Sequence, residues 1–319
     1  MGNAMYCSRC LFKCVFGNER CGVVIGGKDR YNYHVLMVTC SKIEHISIYH
    51  YIVNATTLNI WIPGSPFKCR FCPWNMNIDL AAIELRKVSI DKILDFLQRT
   101  KADVVSILGC EPLINEWTFE LIHQLTRRNV KVLIKMTPSI LLNYTEKILK
   151  DINCILLEIS DAHEQINSQE ISNVVLKLLS LGKHVEIHLV MNINDYWKCE
   201  TIRRALIRIA SGNRYVPIHF IPKNIHEEVN INELFKILEN LKNMGYKFVY
   251  SPKDITYKYL TTICPKCYMP LILRDEFGVK KLVLRNEKCP FCGFNLKIKA
   301  LKPISKIKVA RLFTEEIVW

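Results

Sequence analysis

The sequence has no eighteen-residue apolar run free of charge, so no membrane-spanning helix is expected. Met1 to Tyr6 lack the charged-then-apolar layout of a secretory leader, and a cytoplasmic protein is expected. Acidic residues are scarce toward the far end. Between Lys280 and Arg311 ten basic residues face one acid, Glu287. That difference of nine is most of the formal net charge of +14. The figure counts thiols as neutral; two divalent ions, each on four thiolates, would bring it to about +10. A basic tail of this kind contacts nucleic acid or an acidic partner, or is a solvated face.

Cysteine is plentiful, with fourteen among 319 residues. Ten fall in tight clusters within a large chain, which favours a reducing compartment and bound metal over a disulfide scaffold. Half of the residues are apolar, enough for one barrel-sized domain with small modules. Cys7, Cys10, Cys14 and Cys21, with Gly17 and Gly22, have the spacing of a knuckle around one ion or cluster. Zinc and iron–sulfur are both compatible with it. Cys264-Pro-Lys-Cys267 and Cys289-Pro-Phe-Cys292-Gly293 are two Cys-x-x-Cys knuckles separated by 21 residues, the pattern of a zinc ribbon. That segment has little core without a metal. Leu296 to Lys299 and Lys306 to Val309 alternate as edge strands with lysines toward water. Cys40, outside every cluster, reads as a small buried apolar residue.

Between these modules runs a βα rhythm. Short Val- and Ile-rich runs predict strands at Thr57–Ile62, Asp103–Gly109, Val130–Met136, Ile155–Ser160, Val185–Met191 and Val216–Ile221. A further short strand is expected within Lys247 to Tyr250. Ser89 caps a predicted helix with Ile90, Ile93, Leu94 and Leu97 on one face. Asn230 caps another, with Ile231, Leu234, Phe235, Leu238 and Leu241 in register and Gly245 as its stop. Six such units predict an α/β fold, a partial (βα)6 barrel over residues 51–255. A Cys-rich segment precedes it at 1–50, and the ribbon with its basic strands follows at 256–319. Sites in such folds gather at the carboxyl ends of the strands.

The loop after the first strand, Gly64-Ser65-Pro66-Phe67-Lys68-Cys69-Arg70-Phe71-Cys72, resembles the Cys-x-x-x-Cys-x-aromatic-Cys loop of iron–sulfur enzymes that use S-adenosylmethionine. Cys69, Phe71 and Cys72 match; Ser65 stands at the first cysteine position. A [4Fe–4S] cluster is usually held by thiolates, and three of them leave one iron open for the ligand. A hydroxyl is a harder ligand and suits such a site poorly. A lone Cys-x-x-Cys, redox or zinc-binding, is the plainer reading. The second strand ends in Gly109-Cys110-Glu111-Pro112, which reads as the seat of the ligand's ammonium group or as an ordinary turn into a helix near Asn115. Alternation groups Lys131 with Lys135, Glu158 with Ser160, and His184 with Glu186 and His188; Pro217 and His219 share a face of the sixth strand. Lys135, Glu158, His188 and His219 are expected in the lumen near the ligand, or else paired locally.

The series as a whole resembles the radical S-adenosylmethionine member of the AmmeMemoRadiSam group, related to activating enzymes of glycyl-radical proteins. The likeness covers the N-terminal cysteines, Ile43-Glu44 to Tyr49-His50, Pro63-Gly64, the Gly-Cys-Glu-Pro turn, Pro217-Ile218-His219-Phe220, Gly245 to Tyr250 and the ribbon. It implies a cluster at Cys69 and Cys72 and S-adenosylmethionine near Phe71 and Gly109–Pro112. By name it also implies association with AMMECR-type and MEMO-type proteins. Two departures stand out: Ser65, and Ile159-Ser160-Asp161 where relatives carry Asp-Leu-Lys. Three readings follow: an active radical enzyme, a degenerate binding or assembly subunit, and a nucleic-acid binder using the basic terminal module.

Overall fold

The computed structural model describes residues 33–64, 85–109, 111–141, 149–160, 166–223, 230–251, 259–275 and 277–304, and the backbone at 24–25, 28–29 and 310–311. They form two compact units, each discontinuous in sequence. Unit one is Met1–Ser41, Thr56–Ile155 and Lys308–Trp319; unit two is Lys42–Ala55 and Leu156–Ile307.

Unit one is built on strands β1 (Met37–Lys42), β2 (Thr56–Ile62), β3 (Val104–Gly109) and β4 (Lys131–Met136). They lie side by side in that order, with Ala310–Arg311 outside β1. β2, β3 and β4 are parallel, as helical crossovers demand, and Ala310–Arg311 runs antiparallel against Cys40 and Thr39. Leu58, Ile60, Ile62, Val104, Val105, Ile107, Val132 and Ile134 are fully buried, so β-branched runs here mark strands covered on both faces. Buried polar side chains on β1, β2 and β3 meet one another. The hydroxyls of Thr57 and Ser106 are 2.7 Å apart, and Asn59 donates to Thr39 and Ser41 at 3.2 and 2.9 Å.

Helix α1 (Ile90–Thr100) starts where expected, with Ser89 Oγ accepting from the Lys92 amide. Its fully buried stripe is Ile93, Leu94 and Phe96. Ile90 and Leu97 are half-buried, while Phe96 is buried. Helix α2 (Glu116–Thr126) follows Asn115 and buries Trp117, Leu121, Ile122 and Leu125. Cys40 is buried, as expected of a lone thiol among apolar neighbours.

Unit two contains β5 (Cys154–Ser160) from Leu156 onward, β6 (His184–Met191), β7 (Ile218–Pro222) and β8 (Val249–Tyr250), adjacent in that order. β6, β7 and β8 are parallel, and His188, His219 and Tyr250 are register partners across them. Helix α3 (Ser168–Ser180) begins with a capping box made by Asn167 and Glu170. Helix α4 is Glu200–Gly212, and α5 (Ile231–Asn243) is capped by Asn230, which accepts from the Glu233 amide. Gly245 follows α5 at φ +114°, a conformation that favours glycine at a helix stop.

The two knuckles fall in this same unit, around the antiparallel strands β9 (Thr262–Ile263), β10 (Pro270–Asp275) and β11 (Gly278–Leu282). Leu296 and Ile298 are buried while Lys297 and Lys299 are exposed, so the expected alternation is present. The pairing begins only at Ala300–Leu301, which lies parallel to Ile52–Val53. Among the described residues no helix is long and apolar enough to cross a membrane.

Candidate functional site

In unit one, β2 and β3 end side by side, with Ile62 opposite Gly109. Gly109 has φ +102°, and a Cβ there would lie 2.2 Å from the Ile62 carbonyl oxygen. Only glycine fits this register. The chain then turns, and the Glu111 amide donates to the Gly64 carbonyl at 3.1 Å. The Gly-Cys-Glu-Pro turn is thereby tied to the last described residue before the cysteine loop. Pro112–Ile114 makes a single tight turn, after which Asn115 Nδ2 donates to the Pro63 carbonyl at 3.4 Å. Glu111 and Asn115 are both buried, and Asn115 Oδ1 has no partner among the described residues. A buried amide oxygen left open marks a place for a donor from outside. Lys135, buried, is the second-last residue of β4.

Unit two holds a buried polar cluster centred on Glu186, which is fully enclosed. Its Oε1 accepts from the His50 amide at 2.7 Å, the Tyr49 amide at 3.1 Å and His184 Nε2 at 2.9 Å. Its Oε2 accepts from the Tyr49 amide at 2.9 Å and His219 Nε2 at 2.8 Å. A carboxylate can only accept, so both imidazoles carry their proton on Nε2. His188 Nε2 donates to the Ser47 carbonyl at 3.0 Å, and its ring lies 5.1 Å from that of His219. Glu186 thus joins the 49–50 loop to two neighbouring strands.

A second branch leaves the same loop. His50 Nε2 and the Tyr250 hydroxyl are 2.6 Å apart, and that hydroxyl is 2.8 Å from Thr262 Oγ1. Arg274 donates to Thr262 Oγ1, to the Leu260 carbonyl and to the Tyr49 carbonyl. Its guanidinium carbon lies 4.1 Å from the centre of the Tyr49 ring.

Burial alone would raise the Glu186 carboxyl, but hydrogen bonds and charge from His184 and His219 outweigh it and hold the group well below the carboxylate range. Burial pushes His188 down to about 3, with the neighbouring His219 adding to it. It also pushes His50 down to about 3, against the pull of Glu186. His219 is lowered by burial and partly restored by Glu186. Glu186 has every oxygen engaged, so it is a positioning residue that fixes His219, and through it the neighbourhood of His188.

The four ribbon thiols converge. Cys264 and Cys292 have sulfurs 3.5 Å apart, as do Cys267 and Cys289, and all four lie within 4.8 Å of one another. A tetrahedral ion with metal–sulfur bonds of about 2.3 Å spaces its sulfurs by about 3.8 Å. This is a metal-binding group.

The structure therefore brings together Glu111 with the strand end at Gly64, His188 with His219, and the four ribbon cysteines. Glu158 is half-buried on β5. Ser65, Cys69, Phe71, Cys72, Cys110 and the N-terminal Cys7, Cys10, Cys14 and Cys21 lie outside the described residues. Glu186, His184, Tyr49, Tyr250 and Arg274 were not among the candidates from sequence. The His-x-Glu-x-His alternation on β6 carried the signal for the first two; Arg274 had none.

Neither a protein-family model nor a curated protein matches the chain. Among solved structures, the crystal structure of Streptococcus suis SuiB bound to S-adenosylmethionine is similar at 14% identity and a TM-score of 0.40. The match covers 63% of this chain and 47% of that one, so it spans about half of that protein's length.

Proposed function

We propose that unit one binds S-adenosylmethionine beside an iron–sulfur cluster, as a radical-type protein of the AmmeMemoRadiSam kind. The backbone bond from Glu111 to Gly64 carries this reading. It holds the acidic turn against the entrance of the cysteine loop at the carboxyl ends of two adjacent parallel strands, where ligands of such sheets are bound. The partial (βα)6 barrel, and AMMECR-type and MEMO-type partners, belong to the same proposal.

The residues present fit the methionine end of the ligand. Gly109 lets the end of β3 close against the Ile62 backbone, which sets the turn that carries Glu111. The buried Glu111 carboxylate suits an ammonium group, and the open Asn115 oxygen suits a further donor. Phe71 would lie beside the adenine. The donor set at the cluster is two thiols, Cys69 and Cys72, with the Ser65 hydroxyl in the third place. When bound, the cluster supplies the electron that cleaves a carbon–sulfur bond of the ligand. The protein's own task is to orient the amino and carboxylate groups and to exclude water. For the ribbon thiols we propose zinc, since four thiolates in a small module suit it.

Ser65 favours one other reading. With a weak third anchor, the fold would persist as a binding or assembly subunit that keeps the ligand cradle and has lost the cluster. Oxygen-free purification with iron, sulfide and zinc measured together separates the two. The proposal expects cluster iron and sulfide that a Cys69→Ala, Cys72→Ala variant loses, with zinc unchanged. Zinc without cluster iron in the unaltered protein would remove the radical-enzyme reading.

A further inference from the structure

The two knuckles of the ribbon are built alike. In the first, the Tyr268 amide donates to the Cys264 carbonyl and the Cys264 amide to the Met269 carbonyl, both at 2.9 Å. In the second, the Gly293 amide donates to the Cys289 carbonyl and the Cys289 amide to the Phe294 carbonyl, again at 2.9 Å. The residue after the second cysteine is left-handed in each, at φ +61° for Tyr268 and +73° for Gly293. Glycine is at ease in that conformation, whereas a tyrosine is strained. Packing does not offset the strain, because Tyr268 is 78% exposed. Its ring touches no other ring and its hydroxyl bonds no other group. Phe291, between Pro290 and Cys292 at the tip of the second knuckle, is 57% exposed. Each of these rings is next in sequence to a cysteine of the four-thiol group, so both belong to one small region of the surface. Exposed rings grouped in this way mark an interaction surface.

The charge around the rings selects the partner. Arg285 and Lys288 flank the two-residue turn Asn286–Glu287, whose φ angles are +49° and +62°. Their amides and carbonyls bond reciprocally at 3.0 and 3.1 Å, which makes them direct antiparallel partners. Like charges placed directly opposite one another disfavour such a pair. Lys288 leads straight into Cys289, so the two cations stand at the base of the second knuckle. Both are exposed, as is Lys266 in the first knuckle, and none of the three side chains has an ion pair or hydrogen bond. Asp275 lies at the opposite end of β10 from the first knuckle, which leaves Glu287 as the acid of this region.

We propose that the ribbon binds single-stranded nucleic acid, with bases stacked on Tyr268 and Phe291 and phosphates on Arg285, Lys288 and Lys266. Flat exposed rings among cations suit such a strand, since every base offers a face and the backbone brings an anion at each step. A duplex keeps those faces inside its own stack. An acidic peptide brings carboxylates without the faces. The proposal rests on the ribbon alone and on no property of unit one.

The test uses the full chain with its ribbon metal in place and follows the fluorescence anisotropy of a short labelled RNA strand that cannot pair with itself. Saturable binding is expected. Tyr268→Gly and Phe291→Ala should each weaken it about fivefold or more, because each removes a stacked base. Tyr268→Gly gives the first knuckle the residue that the second already has. Its metal content should therefore stay the same and its unfolding temperature should not fall. Tyr268→Phe should retain the affinity. Replacing Arg285 and Lys288 together by Gln should reduce the slope of log affinity against log salt by about 1.4, near 0.7 for each charge on a single strand, whereas the ring variants should leave the slope unchanged. No saturable binding, full affinity in both ring variants, equal affinity for the duplex of the same strand, or displacement by polyglutamate as effective as by unlabelled RNA would each overturn the assignment.

Discussion

Gly109 faces Ile62 so closely that a Cβ at position 109 would sit 2.2 Å from the Ile62 oxygen and 2.7 Å from its nitrogen. Backbone atoms cannot yield as a flexible side chain can. Gly109→Ala must therefore separate the ends of β2 and β3 and also hold a residue with a side chain at φ +102°. The expected cost is about 2–4 kcal/mol, read from urea unfolding. Any folded fraction should bind S-adenosylmethionine more weakly, since the turn at Glu111 moves with it. An alanine variant with unchanged stability would mean that the two strand ends are not in register.

Glu186 should prove the most sensitive single polar residue of unit two. Glu186→Gln keeps the size but replaces one acceptor oxygen by a donor, which then meets N–H groups from the 49–50 loop or from an imidazole. Breaking a buried charged cluster on one side costs about 3–5 kcal/mol. Chemical denaturation measures it; a loss under about 1 kcal/mol would show that the carboxylate is not the hub.

The same cluster sets a pH dependence. His50 and His188 are lowered to about 3 when folded, against 6.5 ordinarily. Between those values the unfolded chain binds more protons than the folded one. Stability should thus fall as pH drops below about 6.5, with each ring contributing up to about 1.4 kcal/mol per pH unit. Glu186 acts in the same direction at lower pH: its contribution is complete above the ordinary carboxylate range and is lost as pH falls through its lowered value. Unfolding free energy measured from pH 8 to pH 4 should be flat and then decline. Replacing His188 by Asn should make the decline shallower.

Removing the ribbon metal should loosen a local segment before the whole unit. Cys264 and Cys289 are themselves part of the buried cluster with Leu271, Ile272 and Leu296. Stripping the ion leaves thiols that no longer draw the knuckles together. Hydrogen exchange with and without a chelator should show faster amides over residues 262–298. Amides of β6 and β7 should stay protected. Uniform acceleration in both regions would show that the ribbon is no separate cooperative unit.

The strands were legible because fully buried parallel strands leave continuous Val and Ile runs; Thr56–Ile62 and Val104–Gly109 lie within one residue of expectation at each end. The caps at Ser89 and Asn230 were legible because their short polar side chains have one favoured role there. Period alone places Ile93 and Leu94 on the inward face of α1; Phe96, which is buried with them, lies off that period. His188 and His219 could be placed on neighbouring strands, but Glu186 between its histidines reads only as one of an alternating set. Its weight comes from Tyr49 and His50, more than 130 positions away, and pairing at that distance leaves no local trace. Arg274 is the same case.

The central claim is that the turn at Glu111 and the thiols after Gly64 serve one ligand. The most direct measurement is S-adenosylmethionine binding by oxygen-free calorimetry to the unaltered chain, to Glu111→Gln and to Ser65→Cys, each with its iron and sulfide content. Binding that weakens about tenfold in Glu111→Gln, with cluster content unchanged, and that strengthens in Ser65→Cys as iron rises, is the predicted result. Equal binding in all three, or none in any, would contradict it.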